Sequence, residues 1–255
     1  MTDDRLDEQI EHLEEITGQM PLLEHLDEIR KRLIVVSVTV LVATLFSFIF
    51  ARQLVDLLAY PVGGIEVLQS IDVTENISVF MKVSLMGGMI MSMPVILYQL
   101  IAFVVPGLTR EEKRSLFIAL PAALLLFLSG IAFAYFIMLP RAIPFLLDFL
   151  GIHTAPRPKS YFSFVTRLVF WIGVSFELPL VMATLARLGV LSPQFLITNA
   201  RYAMIIIAIL AALITPTPDP LNMGLVMAPL IVLYGVGIVL AKIMYRPRPG
   251  YSNDK

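Results

Sequence analysis

Trp171-Ile-Gly-Val-Ser-Phe-Glu177-Leu-Pro179-Leu-Val-Met182 is an apolar run broken by one acid and one proline, and its reading decides the fold. It lies within a longer apolar segment, about 161–187, which as a helix is long enough to cross about 30 Å of hydrocarbon. A carboxylate near a bilayer centre costs on the order of 2.5–3.5 kcal/mol on insertion scales. A lumen, a partner or protonation must offset that cost. Pro179 removes a backbone hydrogen bond and is expected to kink its helix.

Working outward, five further apolar segments recur at about 33–51, 78–103, 115–138, 200–215 and 222–243. The 255-residue chain is 58% hydrophobic, with a mean hydropathy of +0.83. Long apolar runs exclude a β-barrel, whose strands alternate every second residue. The expectation is an all-α polytopic membrane protein of six transmembrane helices. Pro94 is expected to kink the second span as Pro179 kinks the fourth, and bent helices leave a concave face. The fifth span, bounded by Arg201 and Pro216, is short for the hydrocarbon. Thr215-Pro-Thr-Pro-Asp219-Pro cannot be helical throughout.

Charge placement sets the orientation. Thirteen of the nineteen Lys/Arg fall at the N-terminus, in 104–114, in 187–201 and from Lys242 onward. By the positive-inside rule both termini are expected in the cytoplasm of a bacterial inner-membrane protein. Residues 1–21 form an acidic extension, 22–245 the membrane domain and 246–255 a cytoplasmic tail. The acids Asp3, Asp4, Asp7, Glu8, Glu11, Glu14 and Glu15 suit either a solvated amphipathic helix or a disordered segment, punctuated by Gly18 and Pro21. Polar residues precede the first apolar run, so no cleaved signal peptide is expected. The stretch 52–77 reads as a polar outer loop with Pro61 and a Gly63-Gly64 break.

Several chemistries are excluded. There is no Cys, hence no disulfide or thiol catalysis. His12, His25 and His153 all fall outside the spans, and no His-Glu-x-x-His is present. No phosphate-binding glycine loop and no basic stripe point to nucleotide or nucleic acid. The chain is not expected to be an enzyme or to hold a metal or cofactor.

Two cytoplasmic stretches carry acids beside a membrane boundary. In His25-Leu-Asp-Glu28-Ile-Arg30-Lys-Arg32-Leu, Asp27–Lys31 and Glu28–Arg32 are i, i+4 pairs. In Phe103-Val-Val-Pro106-Gly-Leu-Thr109-Arg-Glu-Glu112-Lys-Arg114, Thr109 and Glu112 form a capping box that opens the third span. Helix stabilisation accounts for both. Equally, two carboxylates on separate elements suit a clamp for two guanidinium groups, whose fork geometry Lys cannot reproduce.

These stretches resemble a known family. The run from His25 to Leu33 is similar to the amino-terminal motif of TatC, the receptor subunit of the twin-arginine translocase. Thr74-Glu75-Asn-Ile-Ser-Val-Phe80-Met-Lys82, Pro94-Val-Ile-Leu-Tyr98-Gln99 and Ala102-Phe103-Val-Val-Pro106-Gly-Leu continue the likeness. Phe133-Ala-Tyr135-Phe136 with Pro140, Val174-Ser-Phe176-Glu177-Leu-Pro179 and the Pro216–Asp219 hairpin complete it, in order, over residues 22 to about 245. Departures are the long acidic start, Thr217 between Pro216 and Pro218, and Met223 where many members carry a polar residue.

The resemblance implies roles. Glu28 and Glu112 would receive the paired arginines of a folded precursor's signal peptide, with Arg30 in the same motif and Phe103 as the aromatic beside them. Glu177 would engage a single-span partner of TatA or TatB type, and Pro61 and Asp219 match outer-loop positions. Energy would come from the proton gradient, and self-association within a larger complex is implied. Read from its residues alone, Glu177 stays open between a hydrogen-bonded structural carboxyl, the ion site of a secondary transporter, and a contact for a partner's polar side chain.

Overall fold

The computed structural model describes residues 3–104, 110–147, 156–215 and 220–245, with side chains from 26 onward except 104, 110–118 and 221–222. Among these residues there is no strand. The helices are α1 (Asp3–Ile49), α2 (Ala51–Ala59), α3 (Glu75–Val104), α4 (Arg110–Phe133), α5 (Leu139–Leu147), α6 (Pro158–Ser175), α7 (Leu178–Arg187), α8 (Pro193–Thr198), α9 (Ala200–Ile214) and α10 (Pro220–Met244). Five stretches are long and apolar enough to span: Leu26–Ile49, Glu75–Phe103, Ala119–Leu147, Pro158–Arg187 and Met223–Met244. The fifteen-residue α9 supplies the sixth. At 1.5 Å per residue it is roughly 22 Å long, the short span expected.

Leu33, Val38, Leu41, Leu45 and Ile49 on α1, with Ile205, Ile209 and Leu213 on α9, point outward. Water would not tolerate so continuous an apolar exterior; lipid does. The interior is organised around α6, whose Tyr161, Val165, Leu168 and Ile172 recur at i, i+4, i+7 and i+11 and are all buried. The most extensive pairing joins α1 to α3. It is close because α3 carries Gly87 and Gly88 where α1 carries Thr44 and Ser47; a Cβ on Gly88 would lie 2.5 Å from the Thr44 Cα. Small residues opposite one another are how helices approach where no hydrophobic effect drives them together.

Four features differ from the sequence reading or refine it. First, α1 runs unbroken through Gly18 and Pro21, carried by flanking Glu, Leu and Gln of high helix propensity. Second, the outer stretch after residue 50 is not all loop. Ala51, Val55, Leu58 and Ala59 share one face of α2 and are buried. Two terminal carbonyls of α2 are satisfied by tyrosines: Tyr135 Oη donates to Leu57 O (2.8 Å) and Tyr161 Oη to Leu58 O (2.7 Å). Third, the third span continues past residue 138 through a π-turn, Ala134–Met138, into α5. Fourth, the fourth span is interrupted for two residues: α6 ends at Ser175 and α7 begins at Leu178 with Pro179 in its first turn, while Phe176 and Glu177 keep right-handed helical dihedrals and the span continues from Pro158 to Arg187. By contrast, Pro94 lies within an uninterrupted α3.

Candidate functional site

The first cluster is assembled by Arg32. One helical turn after Glu28 on α1, its guanidinium donates through Nε (3.2 Å) and Nη2 to Glu28 Oε1. Nη1 reaches Gln99 Oε1 (3.2 Å) and Nη2 reaches the Ala102 carbonyl (2.9 Å), both on α3. Ala102 is among the last four residues of α3, whose carbonyls lack intrahelical partners. A guanidinium there satisfies one carbonyl and complements the negative end of the helix dipole. Glu28 and Arg32 are both partly buried, with side-chain exposures of 32% and 23%, so the pair is less screened than a surface one.

The expected i, i+4 pairs are both formed, with Asp27 at 2.9 Å from Lys31. The longer reach of Arg32 to Gln99 and Ala102 had no local signal, since its partners lie 67 and 70 residues away. Phe103, adjacent to Ala102, is half-buried at the end of α3. Arg30 is exposed and outside this cluster. Glu112 is the third residue of α4, which begins at Arg110; the Thr109–Glu112 capping box itself falls outside the described residues. The side chain of Glu112, the structure of Thr109, and Asp219 with the rest of its hairpin lie outside the described residues.

The second feature is Glu177, at the break between α6 and α7. It is buried, and its Oε1 has no hydrogen-bond partner among the described residues. The backbone around it is held firmly: Glu177 N–H donates to Val174 O (3.0 Å), and Glu177 O accepts from Val181 N–H (2.9 Å). Gly130 of α4 meets Gly173 of α6 so closely that a Cβ on Gly130 would lie 2.9 Å from the Gly173 Cα. Val174 and Leu180, on either side of Glu177, pack against Met93, Leu97, Ala123 and Phe127. Proline chemistry therefore opens the helix, and close packing holds a carboxyl in an apolar setting.

Pro61 lies elsewhere, in the short turn after α2, lining a cavity of about 860 Å³ with Tyr60, Tyr135, Phe136 and Pro140. Glu177 is nineteen residues along the fourth span from its start at Pro158, roughly 28 Å as a helix. The structure thus brings Glu28 together with Gln99 and Ala102, and separates that cluster from the Pro61 cavity.

The family profile of the Sec-independent protein translocase protein TatC matches residues 24–229. The TatC protein of Carboxydothermus hydrogenoformans is 35% identical over 228 residues, covering 88% of this chain and 94% of that protein. TatCy of Bacillus subtilis is 35% identical over 233 residues, 90% of this chain and 91% of that protein. TatC of Aquifex aeolicus is 36% identical over 237 residues, 90% and 98%. A crystal structure described as the twin-arginine translocase receptor TatC superposes with a TM-score of 0.79 at 35% identity, covering 87% of this chain and all of that one.

Proposed function

Because this chain belongs to the TatC family of Sec-independent protein translocase proteins, and so is a multi-pass membrane subunit of that translocase rather than an enzyme, we propose that it is the signal-peptide receptor of the complex. Glu28 and Glu112 receive the paired arginines of a folded precursor, with Phe103 at the end of α3 and the exposed Arg30 contributing from the same stretch of α1. The observation that carries this reading is the arginine already seated on Glu28. Arg32 directs two N–H groups at one oxygen of that carboxylate, Oε1, and an incoming guanidinium takes its place while Gln99 and the Ala102 carbonyl keep Arg32 paired.

Magnitudes divide the labour. A hydrogen bond to a charged group contributes about 1.5–3 kcal/mol, so two clamped arginines supply about 3–6. Micromolar binding needs about 8 kcal/mol. The apolar segment of the signal peptide, lying against the spans as a helix in a groove, supplies the remainder. The arginines select; the apolar segment holds. The occupied receptor then engages single-span subunits of TatA and TatB type at Glu177, with Pro61 and Asp219 contributing from the outer loops. Copies of the receptor associate within a larger complex. Both termini face the cytoplasm of a bacterial inner membrane, and the proton gradient drives export.

The test is binding of a labelled twin-arginine signal peptide to the purified protein beside its twin-lysine variant. A preference of about tenfold or more, roughly 1.4 kcal/mol, lost in Glu28→Ala or Glu112→Ala, is the expected result. No discrimination by a protein shown to be folded would sink the receptor reading and return Glu177 to the role of a transporter's ion site.

A further inference from the structure

Away from both clusters, α3 and α6 frame a cavity of about 310 Å³ that contains two cations and no acid. Lys82 of α3 is half-buried, and its Nζ donates to Ser163 Oγ of α6 (2.5 Å). The same hydroxyl donates to Lys159 O (2.5 Å), which leaves its lone pairs toward the ammonium. Arg167, one turn beyond Ser163, is exposed in the same cavity. The charged groups bearing on Lys82 are Arg167 and Lys159, so like charges face one another. The nearby acids are occupied elsewhere: Glu75 is buried and accepts from Ser70 Oγ (3.4 Å), while Asp72 bears on Lys159.

Depth makes this costly. The spans Glu75–Phe103 and Pro158–Arg187 are 29 and 30 residues long, about 45 Å each, with midpoints about 22 Å from their ends. Lys82 and Arg167 start about 10 Å and 8 Å from those midpoints, inside a hydrocarbon half-thickness of about 15 Å. Cations at that depth need an anion, or a side chain long enough to reach the interface.

The lining is arranged by level. Both helices begin beside the outer segment, where Gln69 N–H donates to Pro156 O (3.2 Å) and Tyr161 anchors α2. They therefore run in parallel, and higher residue numbers lie deeper. Lys82, Ser163 and Arg167 form the upper level; Met89, Phe170 and Trp171 form the lower one. A charged rim above an apolar floor, open to lipid at the exposed Leu85 and Trp171, matches a molecule with an anionic head and a hydrocarbon tail. We propose that this groove binds an anionic phospholipid of the leaflet on the side of residues 50–74, its phosphate on Lys82 and Arg167 and an acyl chain along Met89, Phe170 and Trp171.

The experiment is native mass spectrometry of the delipidated, full-length protein titrated with phosphatidylglycerol, phosphatidylcholine and glycerol 3-phosphate. Phosphatidylglycerol is expected to be retained at least tenfold better than phosphatidylcholine, and glycerol 3-phosphate not at all. Arg167→Gln with Lys82→Gln should abolish the preference, and Arg167→Lys should keep most of it. Equal retention of the two lipids by the unaltered protein overturns the proposal without recourse to variants. So does a preference that survives the double substitution. Tight binding of glycerol 3-phosphate would make this a soluble-anion site, and displacement of the lipid by a purified single-span helix with an acidic side chain would make it a protein contact. Twin-arginine peptide binding, read on the same samples, reports the receptor function separately.

Discussion

Arg32 answers three acceptors on two helices, and a lysine there could reach one or two of them. Arg32→Lys keeps the charge but loses the fork, so about 1–2 kcal/mol of stability should go with the missing hydrogen bonds. A lower melting temperature in detergent, with Asp27–Lys31 untouched, is the expected outcome; an unchanged one would mean the Gln99 and Ala102 bonds add nothing. On the proposed receptor reading Glu28→Ala should act twice, removing an acceptor for a cargo arginine and taking the carboxylate partner from Arg32, which keeps Gln99 and the Ala102 carbonyl. Glu28 and its partner one turn away were legible in the sequence, because helical periodicity alone sets them side by side. Gln99 was visible only as part of a motif. Its contact depends on how α1 crosses α3.

At the level of elements, the α1–α3 contact rests on small residues facing one another, and its energetics can be separated from helix propensity. Gly88→Ala should destabilise by about 1–3 kcal/mol, because the new methyl meets the Thr44 backbone, which cannot yield as a side-chain tip would. Gly235→Ala is the control: a Cβ there meets nothing within 4 Å, and the helix gains up to about 1 kcal/mol. If both substitutions lowered the melting temperature equally, close packing would not be the cause. At Pro179 the helix is interrupted for two residues, while Pro94 sits inside an uninterrupted helix. Pro179 occupies the first turn after that interruption, where its missing N–H has no partner to lose.

For the whole molecule, the proposed role of Glu177 is a contact with a partner outside the chain. A buried carboxyl with no hydrogen-bond partner among the described residues does not stabilise the fold, so Glu177→Leu should leave melting unchanged or raise it. The same variant should bind signal peptide normally and lose association with single-span subunits. Copurification at the unaltered level would remove Glu177 from the partner site, and a marked loss of stability would make it a structural carboxyl.

The sequence by itself determined the class, the spans and the short fifth helix, because apolar length against a fixed hydrocarbon thickness leaves few solutions. It also marked the acids that flank the apolar segments, Glu28 before the first and Glu112 before the third. It could not reveal that residues 51–59 form a helix buried along one face and capped by Tyr135 and Tyr161, nor that Arg32 ties α1 to the end of α3. The groove that pairs Lys82 with Arg167 was equally hidden, for they are separated by 85 residues and meet only because α3 and α6 run side by side. Local pattern fixes what a helix is and which face is apolar. Which polar groups share a site is decided by helix crossing, and crossing depends on packing between residues far apart in the chain.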